Sequence, residues 1–156
     1  MPELQEGDLA PDFEAPSSQG DIVKLSDLRG KIVVLYFYPR DNTPGCTIEA
    51  CAFRDEQKAI ARRGAVVLGV STDGLKAHEK FTRNFKLNFP LLVDEDKKIV
   101  NAYGVWAPKK FMGREFLGTK RTTFIIASDG RIRKIFPNVH ARGHAKEVLE
   151  ALTEIQ

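Results

Sequence analysis

Apolar positions in this chain fall into short blocks whose spacing alternates between strand-like and helix-like. Lys31 to Tyr38 (KIVVLYFY) is apolar on both faces, as expected of a central strand covered by helices. Pro39 ends that run, a polar turn follows, and the pattern predicts a helix from Pro44 to about Arg63, closed by Gly64. On a wheel of about 100° per residue, Ile48, Ala52, Phe53, Ala59 and Ile60 share one arc, the expected core face. Glu49 and Glu56 fall inside the same arc, where a plain packing helix would avoid them. Ala65 to Ser71 reads as a second buried strand. Leu75 to Leu87 reads as a helix with Ala77, His78, Phe81 and Phe85 on one side.

Further along, Pro90 to Asp94 predicts a short strand and Lys97 to Tyr103 a short helix stopped by Gly104. Residues 105–120 mix aromatics with Gly, Pro and Lys, which suggests a loop or loose hairpin over one end of the sheet. Thr122 to Ala127, the turn Ser128-Asp129-Gly130 and Arg131 to Phe136 form a hairpin pattern. An amphipathic helix over Ala145 to Ile155 closes the chain. The first thirty or so residues carry turn signals, short strands near Phe13 and Ile22 to Leu25, and a helical turn at Ser26 to Gly30. A βαβαβα segment followed by a ββ hairpin and a helix is most simply one α/β domain over residues 1–156, with a central mixed sheet and an N-terminal β extension.

Composition narrows the functions available. The net charge, 24 − 21 = +3, is mild and the cations are scattered, so nucleic acid is not an expected partner. The N-terminus is acidic and has no apolar signal core, and the longest apolar run is too short to span a bilayer. The expected setting is therefore cytoplasmic and reducing, away from membranes. There, a pair of cysteines points to redox, metal or catalytic use rather than a structural disulfide. A C-x4-C pair without a nearby pair of histidines does not supply a zinc site, so no metal is expected.

Both cysteines lie in YFYPRDNTPGCTIEACAFR, Tyr36 to Arg54. Cys46 falls in the first turn of the predicted helix, directly after the central strand. Unpaired N–H groups and the positive end of the helix dipole favour a thiolate there. If the strand at Thr122 pairs antiparallel with the sheet, Arg121 begins at the same sheet end as Cys46. A guanidinium there either stabilises a thiolate or is an ordinary surface cation. Five residues apart on an intact helix, the Cα atoms of Cys46 and Cys51 are about 8.6 Å apart and their side chains diverge. A disulfide needs Cα atoms within roughly 7 Å, so bonding this pair requires local unwinding. Cys51 taken alone also fits a small buried hydrophobe. Glu49, one turn from Cys46, is either polar machinery of the site or an edge residue.

The arrangement of Pro39, Thr43 and Cys46, P-x-x-x-T-x-x-C, is similar to the peroxiredoxin active-site signature, and Arg121 falls where that family carries its active-site arginine. The longer run YFYPRDNTPGCTIEACAFRD, with GDLAPDF, VVLGVSTD, YGVW and RTTFII, resembles the peroxiredoxin Q (bacterioferritin comigratory protein) class over nearly the whole chain. The resemblance implies a thioredoxin-like fold and a cofactor-free thiol peroxidase acting on hydrogen peroxide and organic hydroperoxides. It also implies that Cys46 is the peroxidatic residue, that Cys51 resolves it, and that thioredoxin or a similar dithiol recycles it. Thr43 and Arg121 would bind the peroxide, with Glu49 added from its position, and Pro39 would shield the thiolate. Members of the class are often monomers, and a monomer is expected. The strand end Ala127-Ser128 and the Ala-Pro-Lys-Lys after Trp106 depart from the usual pattern and bear on the pocket rim. A general thiol–disulfide oxidoreductase and a peroxide sensor are the alternatives. The absence of C-x-x-C argues against the first.

Other candidates have blander readings. His78 is expected to pack in the core or at its edge, and His140 and His144 to lie at the surface. Ser71 and Asp73 are expected to cap the following helix. Trp106, Phe111, Met112 and Phe116 either pack or line a docking surface.

Overall fold

The computed structural model describes residues 3–155. Its elements, in order, are β1 (Glu14–Pro16), β2 (Ile22–Lys24), a 3-10 turn (Leu25–Leu28), β3 (Ile32–Phe37), α1 (Pro44–Arg62), β4 (Ala65–Ser71), α2 (Leu75–Phe85), β5 (Leu91–Val93) and α3 (Lys98–Ala102). Then follow β6 (Trp106–Phe111), β7 (Arg114–Thr119), β8 (Thr122–Ile126), β9 (Ile132–Phe136) and α4 (His144–Glu154). Five strands form one sheet in the order β5-β4-β3-β8-β9. β3, β4 and β5 run parallel, β8 is antiparallel to β3, and β9 is antiparallel to β8.

The double-sided apolar pattern of β3 has the expected cause. Val34, Tyr36 and Tyr38 point into a core with Ala50, Phe53 and Ile60 of α1, Phe81 of α2, and Val148 and Leu152 of α4. Val33, Leu35 and Phe37 point the other way, into a core with Ile99 and Val100 of α3 and Phe124 of β8; Ala10 and Ala15 of the N-terminal segment belong to it as well. The period-two alternation of a strand therefore serves two cores at once.

The structure changes two expectations here and decides a third. The core stripe of α1 runs through Cys46, Glu49, Ala50, Phe53 and Ile60, while Ile48, Ala52 and Ala59 are only half-buried. The helix packs against both the sheet and α4, and this turns Cys46 and Glu49 inward. Residues 106–119 form a regular two-stranded hairpin, paired from Trp106↔Thr119 to Phe111↔Arg114 and separate from the main sheet. Met112 and Gly113 both have positive φ (52° and 79°), which matches the turn twist a two-residue hairpin loop needs. His144 is fully buried rather than at the surface. It opens α4 against β8, with Nε2 2.8 Å from Thr123 Oγ1, and stands edge-on to Phe53 at 5.8 Å between ring centres. Burial lowers its pKa, partly opposed by Glu147. His140 is exposed, as expected.

Candidate active site

β3 ends at Phe37, and residues 38–43 lead directly into α1. Pro44 occupies the first turn of α1, where its missing N–H costs nothing, and Thr43 is the N-cap. The Thr43 hydroxyl donates to the Arg40 carbonyl at 3.0 Å instead of capping the helix N–H groups. Pro39 is half-buried in the same loop. Cys46 is 1% exposed, so the first turn of α1 turns its thiol into the protein and away from solvent.

Thr122 of β8 pairs with Phe37 of β3, so the antiparallel strand begins at the carboxyl end of the parallel one. That register brings Arg121 to Cys46. Its Nη2 donates to Cys46 Sγ at 3.3 Å, and its Nη1 donates to Glu49 Oε1 at 2.6 Å. Gly45 makes room for the guanidinium, because a Cβ at that position would lie 3.2 Å from Arg121 Nη2. Desolvation acts to lower the Arg121 pKa, but Glu49 and Cys46 outweigh it and hold the group further in its charged form.

Glu49 is also 1% exposed. Burial raises its carboxyl from 4.5 to about 7 even though Arg121 pulls the other way. Its Oε2 has no hydrogen-bond partner among the described residues, and neither has the buried Tyr36 hydroxyl. The glutamate therefore contacts the arginine that contacts the thiol, and no closer role for it appears. Cys51 lies farther along α1, half-buried, and both cysteines are free thiols. With α1 continuous through both, the two thiols are not placed to bond without local unwinding.

Lys109 and the Asp41–His78 pair were not singled out from the sequence. Lys109, on β6, donates from Nζ to the Thr119 carbonyl at 3.0 Å. Burial and then Arg121 lower its pKa, while Cys46 opposes them. The β6–β7 hairpin thus brings a second cation toward the Arg121 side of the thiol, which no local pattern in 105–120 reveals. The tip of this hairpin leaves Phe111, Met112, Phe116 and Leu117 exposed. His78 is in the core, as expected, but as a polar group held by Asp41 and Leu92. Ser71 and Asp73 do not cap α2, whose N-cap is Gly74 with no side-chain cap. Asp73 instead accepts the Asp41 N–H at 2.8 Å, because the loop after β3 passes directly over the end of β4.

The chain that carries this buried thiol is similar to known proteins along most of its length. Residues 7–135 match the AhpC/TSA family. The chain is 45% identical over 152 residues to peroxiredoxin Bcp of Bacillus subtilis, covering 97% of each chain. The chain belongs to the AhpC/TSA family, as a peroxiredoxin of the Q class. Among solved structures, this peroxiredoxin superposes on Xylella fastidiosa PrxQ with a TM-score of 0.93 at 33% identity, covering 99% and 98% of the two chains. It superposes on the bacterioferritin comigratory protein of Xanthomonas campestris, a protein with alkyl peroxide reduction activity, with a TM-score of 0.89 at 34% identity, covering 97% and 96%. The fold is accordingly thioredoxin-like, and this peroxiredoxin is a thiol peroxidase. Among the described residues, no helix is long and apolar enough to cross a membrane.

Proposed function

We propose that Cys46 is the peroxidatic residue of this peroxidase and that Cys51 resolves it. The observation that carries the reading is Arg121, with one nitrogen 3.3 Å from Cys46 Sγ and the other on Glu49. The Cys46 thiolate attacks one oxygen of hydrogen peroxide or an organic hydroperoxide. An S–O bond forms as the O–O bond breaks, and the leaving alkoxide or hydroxide takes a proton from solvent. Negative charge grows on both oxygens in this step, and the Arg121 guanidinium and the N–H groups of the first helical turn meet it. The Thr43 hydroxyl donates its hydrogen bond to the Arg40 carbonyl, which leaves its lone pairs to accept from the peroxide O–H. Glu49 holds Arg121 in place, and Pro39 covers the thiolate against water.

Cys46 is then a sulfenic acid. The start of α1 unwinds, the Cys51 thiolate attacks the sulfenic sulfur, and hydroxide leaves as water when protonated. An external dithiol, thioredoxin in this reading, reduces the disulfide by exchange and restores both thiols. The chain works as one thioredoxin-like unit over residues 1–156, as a monomer, in a reducing cytoplasm where its two cysteines stay free between turnovers.

Peroxide consumption coupled to thioredoxin, thioredoxin reductase and NADPH tests the first assignment: Cys46→Ser should abolish it, and undiminished turnover would reject it. For Cys51, intact mass after one equivalent of peroxide should show loss of two hydrogens. A persistent species heavier by one oxygen in the wild-type protein would sink the resolving role.

A further inference from the structure

The peroxide chemistry leaves a second buried polar cluster unused. His78 of α2 is fully buried, with Nε2 2.7 Å from the Leu92 carbonyl oxygen and Nδ1 2.6 Å from Asp41 Oδ2. A carbonyl only accepts, so Nε2 carries a hydrogen and donates to Leu92, while Nδ1 and the Asp41 carboxyl share a hydrogen bond. The other Asp41 oxygen accepts the Tyr38 hydroxyl at 2.6 Å. The Asp41 backbone N–H goes to Asp73 Oδ2, which also accepts the Ser71 hydroxyl at 2.7 Å. Side-chain oxygen or nitrogen atoms of Asp41, Asp73 and His78 lie within 4.8 Å of one another, near enough for a metal ion. Hydrogen bonds already engage all three side chains, however, and an ion would have to displace them.

Asp41 is therefore pinned through both carboxyl oxygens and its N–H, to Tyr38 just after β3, Asp73 just after β4 and His78 of α2. It lies midway between Pro39 and Thr43. Asn42, next along, is in the left-handed region at φ 62°, which fixes the turn into the helix. The pin lies wholly outside α1.

We propose that Asp41 and His78 are positioning residues for the reaction at Cys46. The pair holds the 39–43 loop, so that Thr43 and the first turn of α1 meet Arg121 in one geometry. Because none of its bonds involves α1, the pair stays made while that turn unwinds, and the helix re-forms from a fixed start. The inference rests on the reading of Cys46 as the oxidised residue.

Two substitutions at one position separate the two halves of the contact. In His78→Asn the amide nitrogen stands near the place of Nδ1 and keeps donation to Asp41. In His78→Gln it stands near the place of Nε2 and keeps donation to Leu92 instead. The readout is the second-order rate of Cys46 oxidation by hydrogen peroxide, with the thermal midpoint measured alongside. His78→Gln should slow oxidation about tenfold, the scale of a displaced reacting group. His78→Asn should keep the wild-type rate at a similar midpoint. Equal rates in the two variants would overturn the proposal. Tyr38→Phe removes one bond to Asp41 without changing the packing. If neither His78 variant folds, this one decides: a slowing of about threefold supports the pin and an unchanged rate overturns it. A wild-type protein that peroxide fails to oxidise would defeat the Cys46 reading itself. Normal wild-type oxidation with an unaffected His78→Gln defeats only the pin.

Discussion

Two buried carboxylates flank the start of α1, and their surroundings differ. Asp41 has both oxygens and its backbone N–H engaged, by Tyr38, His78 and Asp73. Glu49 has one oxygen on Arg121 and the other without a partner among the described residues. Unpaired polar atoms in a dry environment are costly, and each one in a folded protein calls for an explanation. The complete network belongs to the support of the site. The incomplete one lies beside Cys46, where the proposed reaction would bring a peroxide and move charge. A polar residue on a core-facing stripe is ambiguous in sequence, and the count of its satisfied bonds resolves which kind it is.

The strongest test of that contrast is Arg121→Ala. It removes a hydrogen bond to Cys46 Sγ and leaves Glu49 buried with neither oxygen paired. Oxidation by peroxide should fall about 10²–10³-fold, the scale of losing a preformed donor to developing charge. A drop smaller than about tenfold in stopped-flow kinetics would mean that Arg121 is mainly structural.

Glu49→Gln is the next largest. The folded protein raises this carboxyl from 4.5 to about 7 by burial, so between those pH values the folded state binds the proton more tightly than the unfolded chain. Stability from this site is therefore greatest at low pH and falls as pH rises from 4.5 to about 7, by about 3 kcal/mol in total. Urea denaturation at about pH 5 and about pH 8 should show the variant free of this decline. An identical slope in both proteins would place the Glu49 titration elsewhere.

The smallest effect is expected at Tyr36. Its hydroxyl is buried without a partner among the described residues, so Tyr36→Phe removes a desolvated group and no hydrogen bond. Stability should hold or rise by no more than about 1 kcal/mol, read as the shift of the denaturation midpoint. A loss of more than that would reveal a partner for the hydroxyl.

Much of this arrangement was legible before any coordinates. The unbroken apolar run of β3 and the Pro-Gly-Cys start of α1 announce a strand-to-helix joint. Antiparallel entry of β8 is enough to bring Arg121 to it, and the structure pairs Thr122 with Phe37 accordingly. Glu49 stood out because it interrupts a core stripe. What stayed hidden depends on partners distant in the chain. The Asp41–His78 contact joins a loop to a helix 37 residues later, and neither residue has a local pattern that names the other. His144 resembled a surface residue beside a turn because its partner, Thr123, lies on another element. The 106–119 segment reads in sequence only as a loop or loose hairpin because its strands, with Pro108 and exposed aromatics, lack clean alternation.

The near-total burial of Cys46 has a consequence for the order of events. A thiol with 1% of its residue surface open selects its oxidant by size. A slender hydroperoxide asks for less opening of the fold around the sulfur than a folded protein disulfide does. Before oxidation, then, the residue is closed to indiscriminate exchange with the thiols and disulfides around it. In the proposed cycle, unwinding of α1 then presents the same sulfur to a much larger reductant. The helix thus sets a sequence in time, with the small molecule first and the macromolecule second.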